Sequence, residues 1–426
     1  MNISTIAQEL KLFSKIQPEV NNLNREKRQN SYDSNLEGLR GYAAIAVALF
    51  HVFAFKNVLD PAYSPNEYLG QLQPGHAAVM LFFMLSGYVI GLTNTTEFSG
   101  KSVKNYLIRR AIRIIPIYWI VVIFSFLCHP VDQFTTVIGN LFFLQQVFVP
   151  TITNNASLWS LTYEVGYYFL FLFIWFFKPK LITVLSISLA ISIFGWFSPY
   201  LPPILQLFCS FVSGWIFWIT GLWLAWKIRP QPSHKVPIFS YLLLFIAFTL
   251  IRPLSFILEK LGYFYTETNI GGVNFSVLGI LPICLLLFME ITQRRLIGYK
   301  LLRLGCILVP LLYITPLVLQ GRIFENSFWI TPAVLIFLTI ILWRFKMNIS
   351  VVAKLAPVGK ISYALYILHV PIMKLIHDYF PWQGTWWSFS LRFIVWLLIT
   401  VAISIFLELV LQPIIKTKLS RLLLPH

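Results

Sequence analysis

Arg40 and His51 lie eleven positions apart within one apolar stretch, Leu36 to Lys56 (LEGLRGYAAIAVALFHVFAFK). At roughly 100° per residue, eleven steps return a helix to within about 20° of its starting face and raise it by about 16 Å. One face then carries a fixed cation near one membrane surface and a titratable base deep in the membrane, toward the other. Such groups are costly in lipid, so both are expected to face protein or a wet cavity. The plainer alternative has Arg40 snorkelling to headgroups and His51 making a structural interhelical hydrogen bond. Glu164, in SLWSLTYEVGYYF, is a lone carboxylate in an apolar run and needs a partner or a pathway. Arg109 and Arg113 are one helical turn apart, with Arg110 beside them. His369 sits in ISYALYILHVP.

Guanidinium groups pair bidentately with phosphate, and a histidine near a carboxylate suits general-base work. The combination fits a cytosolic phosphorylated donor whose reactive end reaches through the membrane to an acceptor outside. Taken singly, the arginines read as an ordinary positive-inside stop, and His369 reads equally as a helix–helix hydrogen bond.

The elements that must position these residues are membrane helices. The chain has 426 residues, 58% hydrophobic and only 12% charged, against about 25% charged in a soluble protein. The net charge of +17 collects in every second connection between apolar runs, a positive-inside pattern that argues against nucleic acid as the partner. Spans are expected at about 36–56, 76–96, 114–129, 157–177, 181–198, 206–226, 238–252, 273–291, 304–320, 327–343, 361–377 and 388–411. Two of the shorter runs could form a hairpin or lie flat. The expected fold is therefore all-α, a polytopic transmembrane bundle of about 10–12 helices with both termini cytoplasmic. Lys260 and Arg322 are the clear basic exceptions outside. The apolar part of 130–156, IGNLFFLQQVFV, is too short to cross and is expected at the interface or re-entrant.

Residues 1–35 are expected as a cytoplasmic tail, partly disordered or interfacial, with Ile6, Leu10, Phe13 and Ile16 on one face. They lack an apolar h-region and cleavage site. Residues 36–413 form the membrane domain, and 414–426 a cytoplasmic tail. Cys128, Cys209, Cys284 and Cys306 have no metal-ligand spacing and read as small core residues, with no metal expected. On this topology His51, Glu164 and His369 lie toward the outer surface, whereas Arg40, Arg109 and Arg113 lie at the inner one.

Six motifs in order resemble the acyltransferase 3 family of bacterial membrane acyltransferases. LEGLRGYAAIAVALFHVF resembles its opening Arg–His helix, and VMLFFMLSGYVIG its second-helix signature, with Ser86 and Gly87 matching and Tyr88 departing conservatively. YLIRRAIRIIPIYW is similar to the basic segment before the third helix, at Arg109, Arg110, Arg113, Pro116 and Trp119. SLWSLTYEVGYYF is similar to the Trp-Ser-Leu…Glu motif, at Trp159 and Glu164, and FWITGLWLA to a helix signature centred on Gly221. VGKISYALYILHVP resembles the late Ser-Tyr…His motif, at Ser362, Tyr363, Tyr366 and His369. Three features depart: Val165 follows the motif Glu, Glu408 and Pro413 are separated by four residues, and 230–350 matches no motif. No stretch of these 426 residues resembles the hydrolase domain fused to some members.

The resemblance implies a multi-pass O-acyltransferase of the bacterial inner membrane. It would transfer acetyl from acetyl-CoA, as co-substrate rather than resident cofactor, to a hydroxyl of a surface glycan, glycolipid or related acceptor. Arg109, Arg113 and Arg110 would hold the nucleotide end of the donor, and Arg40 would meet it further along. His51 would act as base or carry the acyl group transiently, and Glu164 would orient His51 or hold the acceptor. Ser86, Trp159, Tyr363 and His369 are cavity or acceptor residues. A transporter or flippase of amphipathic molecules is the principal alternative; its characteristic inverted repeats are not evident. Another is a different class of membrane acyltransferase that acylates lipids or proteins.

Overall fold

The computed structural model describes residues 34–423, apart from 129, 199, 228, 231–234, 262–272, 274, 297 and 326. The expected amphipathic face of the amino-terminal tail lies outside the described residues. Among the described residues nine helices are long and apolar enough to span a bilayer. A pair bent by 59°, Ile349–Lys360 with Ser362–Tyr379, makes ten. Two shorter apolar helices, Leu181–Phe197 and Trp329–Leu342, complete the set of about 10–12. The protein is an all-α polytopic bundle.

The first half of the chain contributes α1 (Ser34–Phe53), α2 (Gly75–Thr93), α3 (Gly100–Cys128), α4 (Phe134–Leu141), α5 (Trp159–Phe177), α6 (Leu181–Phe197) and α7 (Pro203–Lys227). The second half adds α8 (Ile238–Ile251), α9 (Pro253–Lys260), α10 (Leu281–Thr292), α11 (Tyr299–Leu319) and α12 (Ser327–Leu342). It ends with α13 (Ser362–Tyr379), α14 (Trp386–Ile405), a π-helical turn at Phe406–Leu411, and α15 (Gln412–Leu423), which continues through most of the expected tail.

In lipid, helices associate by close packing, so small residues decide where backbones meet. One such close crossing joins α2 to α7. A Cβ at Gly87 would lie 1.9 Å from the carbonyl oxygen of Trp218, and one at Gly221 would lie 2.0 Å from that of Met84. Only glycine fits at either position, which accounts for both glycine-centred motifs. The IGNLFFLQQVFV stretch does not cross. It forms α4 and a turn whose Gln145 side chain donates to Tyr118 Oη (3.0 Å) and the Leu158 carbonyl (2.9 Å).

The main hydrophobic core runs through α1, α2, α5, α7, α10 and α13. A smaller one, with Ala247, Ile251, Tyr313, Ile314, Leu335 and Ile336, is built mainly by α8, α11 and α12, with Ile323 from the turn between the last two and Phe256 of α9 packed against it. Residues 238–342, which carry no recognisable motif, thus contribute helices to both. The four cysteines are free thiols; Cys209, Cys284 and Cys306 are buried.

On the loop side of α1, Asp60 is fully buried. It accepts from Ala62 N (3.0 Å), Gly384 N (3.0 Å) and Ser388 Oγ (2.7 Å). Burial works against its charge, but these hydrogen bonds and the nearby Arg392 guanidinium outweigh it and hold the carboxyl below its usual range. Arg392 itself donates to the carbonyls of Trp382, Leu59, Ile376 and Phe380, tying the connection after α1 to the α13–α14 turn.

Candidate active site

A cavity of about 130 Å³ opens between α1, α2, α3, α5 and α13. Arg40 lines it from α1, Ser86 from α2, Arg110 and Arg113 from α3, Glu164 and Tyr168 from α5, and Ser362, Tyr363 and Tyr366 from α13. Residues from distant parts of the sequence therefore converge. The helical spacings explain how each element delivers more than one of them. Glu164 and Tyr168, like Tyr363 and Tyr366, are three or four positions apart and share a face.

Glu164 accepts a hydrogen bond from Ser86 Oγ (3.1 Å) and a short one from Tyr168 Oη. Ser86 in turn accepts from Trp218 Nε1 (3.3 Å), which links the α2–α7 crossing to the carboxylate. Arg110 lies between two rings, its Cζ 5.9 Å from the centre of Tyr106 and 5.7 Å from that of Tyr168. Its terminal nitrogen donates to Thr93 Oγ1 (3.4 Å), but its Nε is buried and has no hydrogen-bond partner among the described residues. Buried donors are normally satisfied, so the chain leaves room here for an acceptor that it does not itself supply.

Arg113 is already paired. It donates to Glu408 (2.6 Å) in the π-helical turn and lies 5.5 Å over the ring of Tyr363. Glu408 also accepts from Ala364 N (3.3 Å) in the first turn of α13, where a carboxylate complements the helix N-terminus. Arg40 pairs with Glu37 one turn earlier. Arg109, one turn from Arg113, does not line the cavity. It faces a neighbouring cleft of about 310 Å³ with Lys101, Ser102, Asn105 and Trp175. Arg110 and Tyr106 stand in the wall between the two recesses.

The two histidines meet. His51 Nδ1 is 3.1 Å from His369 Nε2, across 318 positions of sequence. Tyr366, in the cavity lining, lies three residues before His369, and their ring centres are 6.1 Å apart. Tyr366 Oη is held by Ser160 Oγ (2.7 Å) and the Ser157 carbonyl (3.2 Å). The hydrogen bonds of His51 go to Val47 and His369, and those of Glu164 to Ser86 and Tyr168, so the carboxylate does not orient His51 directly. Trp159 stands outside the cavity lining, its ring edge-on to His76 and Phe83.

A family model described as an acyltransferase domain, that of acyltransferase 3, matches residues 33–297, well over half of the chain. The chain belongs to the acyltransferase 3 family. No curated protein and no solved structure matches it. As an acyltransferase 3 protein with its spanning helices, it is a multi-pass membrane acyltransferase. The matched segment of this family member ends before α13, yet the fold returns Tyr363, Tyr366 and His369 to residues inside that segment.

Sequence reasoning missed three contributors. Tyr168 was within reach, since it is the i+4 neighbour of Glu164 on a helix. Ser160 lies in SLWSLTYEVGYYF, and Tyr366 is named in VGKISYALYILHVP, but neither motif signals that the two side chains pair. Glu408 stood out only as a departure from the family ending, and nothing local points from it to Arg113. For an acyl transfer, the cavity brings together three arginines and a carboxylate with two hydroxyl donors, whereas the imidazole pair does not line it and lies one helical turn beyond Tyr366 on α13.

Proposed function

We propose that the protein transfers an acyl group, acetyl in the first instance, from cytosolic acyl-CoA to a hydroxyl of a cell-surface glycan, glycolipid or related acceptor. The reaction would take place across the bacterial cytoplasmic membrane. One observation carries this reading. Arg40, Arg110 and Arg113 line the cavity together with Glu164 and Tyr366, and the His51–His369 pair, outside its lining, stands one helical turn past Tyr366. An elongated donor with an anionic head and a reactive thioester tail suits such an arrangement. The cleft at Arg109 and Lys101 would receive the nucleotide, and the pantetheine arm would pass Arg110, whose unpartnered Nε suits an amide or phosphate oxygen.

In this mechanism His51 removes the proton of the acceptor hydroxyl. The oxygen attacks the thioester carbonyl, the carbon–sulfur bond breaks, and the thiolate takes the proton back from His51. Glu164, held by Ser86 and Tyr168 rather than by His51, is placed to bind the hydroxyls of an incoming sugar or to fix the donor arm.

The test uses full-length protein in lipid nanodiscs with radiolabelled acetyl-CoA and a crude surface-glycan extract. Label transfer and release of CoA are expected from the wild type and are lost in His51→Ala. Folded protein that neither binds CoA nor transfers label would overturn the assignment of the donor. Equal transfer by the two proteins would remove His51 from the chemistry.

A further inference from the structure

We infer that His369 is a positioning residue: it accepts from the Nδ1–H of His51, whose tautomer the Val47 carbonyl sets, and so holds the ring and steadies the imidazolium that forms when Nε2 acts as a base. The inference deepens the role proposed for His51 and rests on that reading for its catalytic meaning. The proton positions themselves follow from geometry alone.

His51 Nδ1 lies 3.0 Å from the carbonyl oxygen of Val47 and 3.1 Å from His369 Nε2. A carbonyl only accepts, so Nδ1 of His51 must carry the hydrogen. His369 Nε2, facing that same hydrogen, must present a lone pair. A neutral imidazole has one N–H, so the hydrogen of His369 is on Nδ1, and this atom lies 3.3 Å from the Leu365 carbonyl, again an acceptor only. Two backbone carbonyls thus settle both rings. The opposite assignment would set a lone pair against a carbonyl oxygen in each. His51 Nε2 is left with its lone pair, and no hydrogen bond occupies it among the described residues.

His369 is itself held on several sides. It is fully buried, and its carbonyl accepts from Trp396 Nε1 (2.9 Å) on α14. Two residues on, Pro371 lacks the N–H that would satisfy the Ile367 carbonyl, and Asn155 Nδ2 takes its place at 2.8 Å. These contacts fix the turn of α13 that carries the ring. When His51 takes a proton, its Nδ1–H bond to His369 becomes charge-assisted and shorter-ranged in its preference for a lone pair. A neutral acceptor does this without placing an anion in the membrane interior, where a charge is expensive.

The experiment combines spectroscopy and kinetics on full-length protein in nanodiscs. In ¹⁵N-histidine spectra, with His51→Ala and His369→Gln assigning the signals, His51 is expected with a protonated Nδ1 and a bare Nε2. In His369→Leu the tautomer should persist, because Val47 still accepts, while the Nδ1–H proton signal moves upfield as its second acceptor is lost. In His369→Gln, whose side-chain oxygen can accept the same hydrogen, that proton signal should return to near its wild-type position. For acyl transfer, His369→Leu is expected to lower kcat by about 10²-fold, the lower range for acid–base contributions, with KM for the donor within about twofold of wild type. His369→Gln should recover at least a tenth of the wild-type rate. An Nε2-protonated His51 in the wild type, or a His369→Leu protein with unchanged kcat, would overturn the inference. A wild type that shows the expected tautomers but transfers no acyl group would instead sink the proposed function and leave the pairing standing.

Discussion

Replacing Gly221 by alanine tests whether the α2–α7 crossing sets the geometry of the cavity. The added Cβ would lie 2.0 Å from the Met84 carbonyl oxygen, where ordinary contact begins at 3.4 Å, so the helices must part locally by about 1.4 Å. Overpacking of this kind costs about 1–3 kcal/mol. The same turn of α2 carries Ser86, which donates to Glu164 at 3.1 Å and accepts from Trp218 Nε1 at 3.3 Å. A displacement of that size carries one or both beyond hydrogen-bonding range, and misplacement by about 1 Å commonly lowers turnover about 10²-fold. Equilibrium unfolding in mixed micelles should therefore show a loss of about 1–3 kcal/mol, and radiolabelled acyl transfer should fall by about two orders of magnitude. Gly87→Ala, at 1.9 Å from the Trp218 carbonyl, opens the same crossing. The double variant should then cost less than the sum of the two. A Gly221→Ala protein with wild-type stability and turnover would refute the idea that backbone contact at this crossing positions Ser86.

Glu164→Gln keeps the shape but removes the charge that Ser86 and Tyr168 solvate; kcat should fall by about 10²-fold or more, and unchanged turnover would exclude a role in the chemistry. Arg113→Ala frees Glu408 as well as removing a cation, so donor KM should rise on the order of tenfold, equivalent to about 1.4 kcal/mol, while Glu408→Gln should show a smaller effect of the same sign. Arg109→Ala should raise KM for acetyl-CoA yet leave that for acetyl-pantetheine, which lacks the nucleotide, unchanged; equal effects on both donors would contradict a nucleotide site in the second cleft. Asp60 is held below its ordinary value of 3.8, so its contribution to stability is fully present above that pH and is lost as pH falls through the lower folded-state value. Asp60→Asn should destabilise the protein at neutral pH and flatten the acid limb of the stability profile, and an unaltered acid limb would count against the clasp.

Much of the fold was legible because membrane helices are written in long apolar runs, and every expected span corresponds to a helix. The Arg40–His51 relation was legible too, since one helix fixes the distance between them. What could not be read was contact between helices. His51 and His369 share no local pattern, and their pairing depends on where α13 returns in the bundle. Arg109 and Arg113 illustrate the opposite limit. Their spacing places them on one side of α3, yet a wall containing Arg110 and Tyr106 sends them to different recesses. Glu408 was hidden by the π-helical turn, which changes the helical register just where the side chain must reach Arg113.

The smaller core built mainly by α8, α11 and α12 divides the molecule into a chassis and an attachment. Changes in volume at Ile251, Ile314 or Leu335 fall on a cluster separate from the main core, although α8 and α11 also reach that core, and sites removed in packing are nearly additive with changes elsewhere. The attachment can therefore be reshaped while the imidazole pair and its arginine approach stay in tune. A graft of α11 and α12 from another member of the family would then exchange the outer contour of the enzyme and keep its engine.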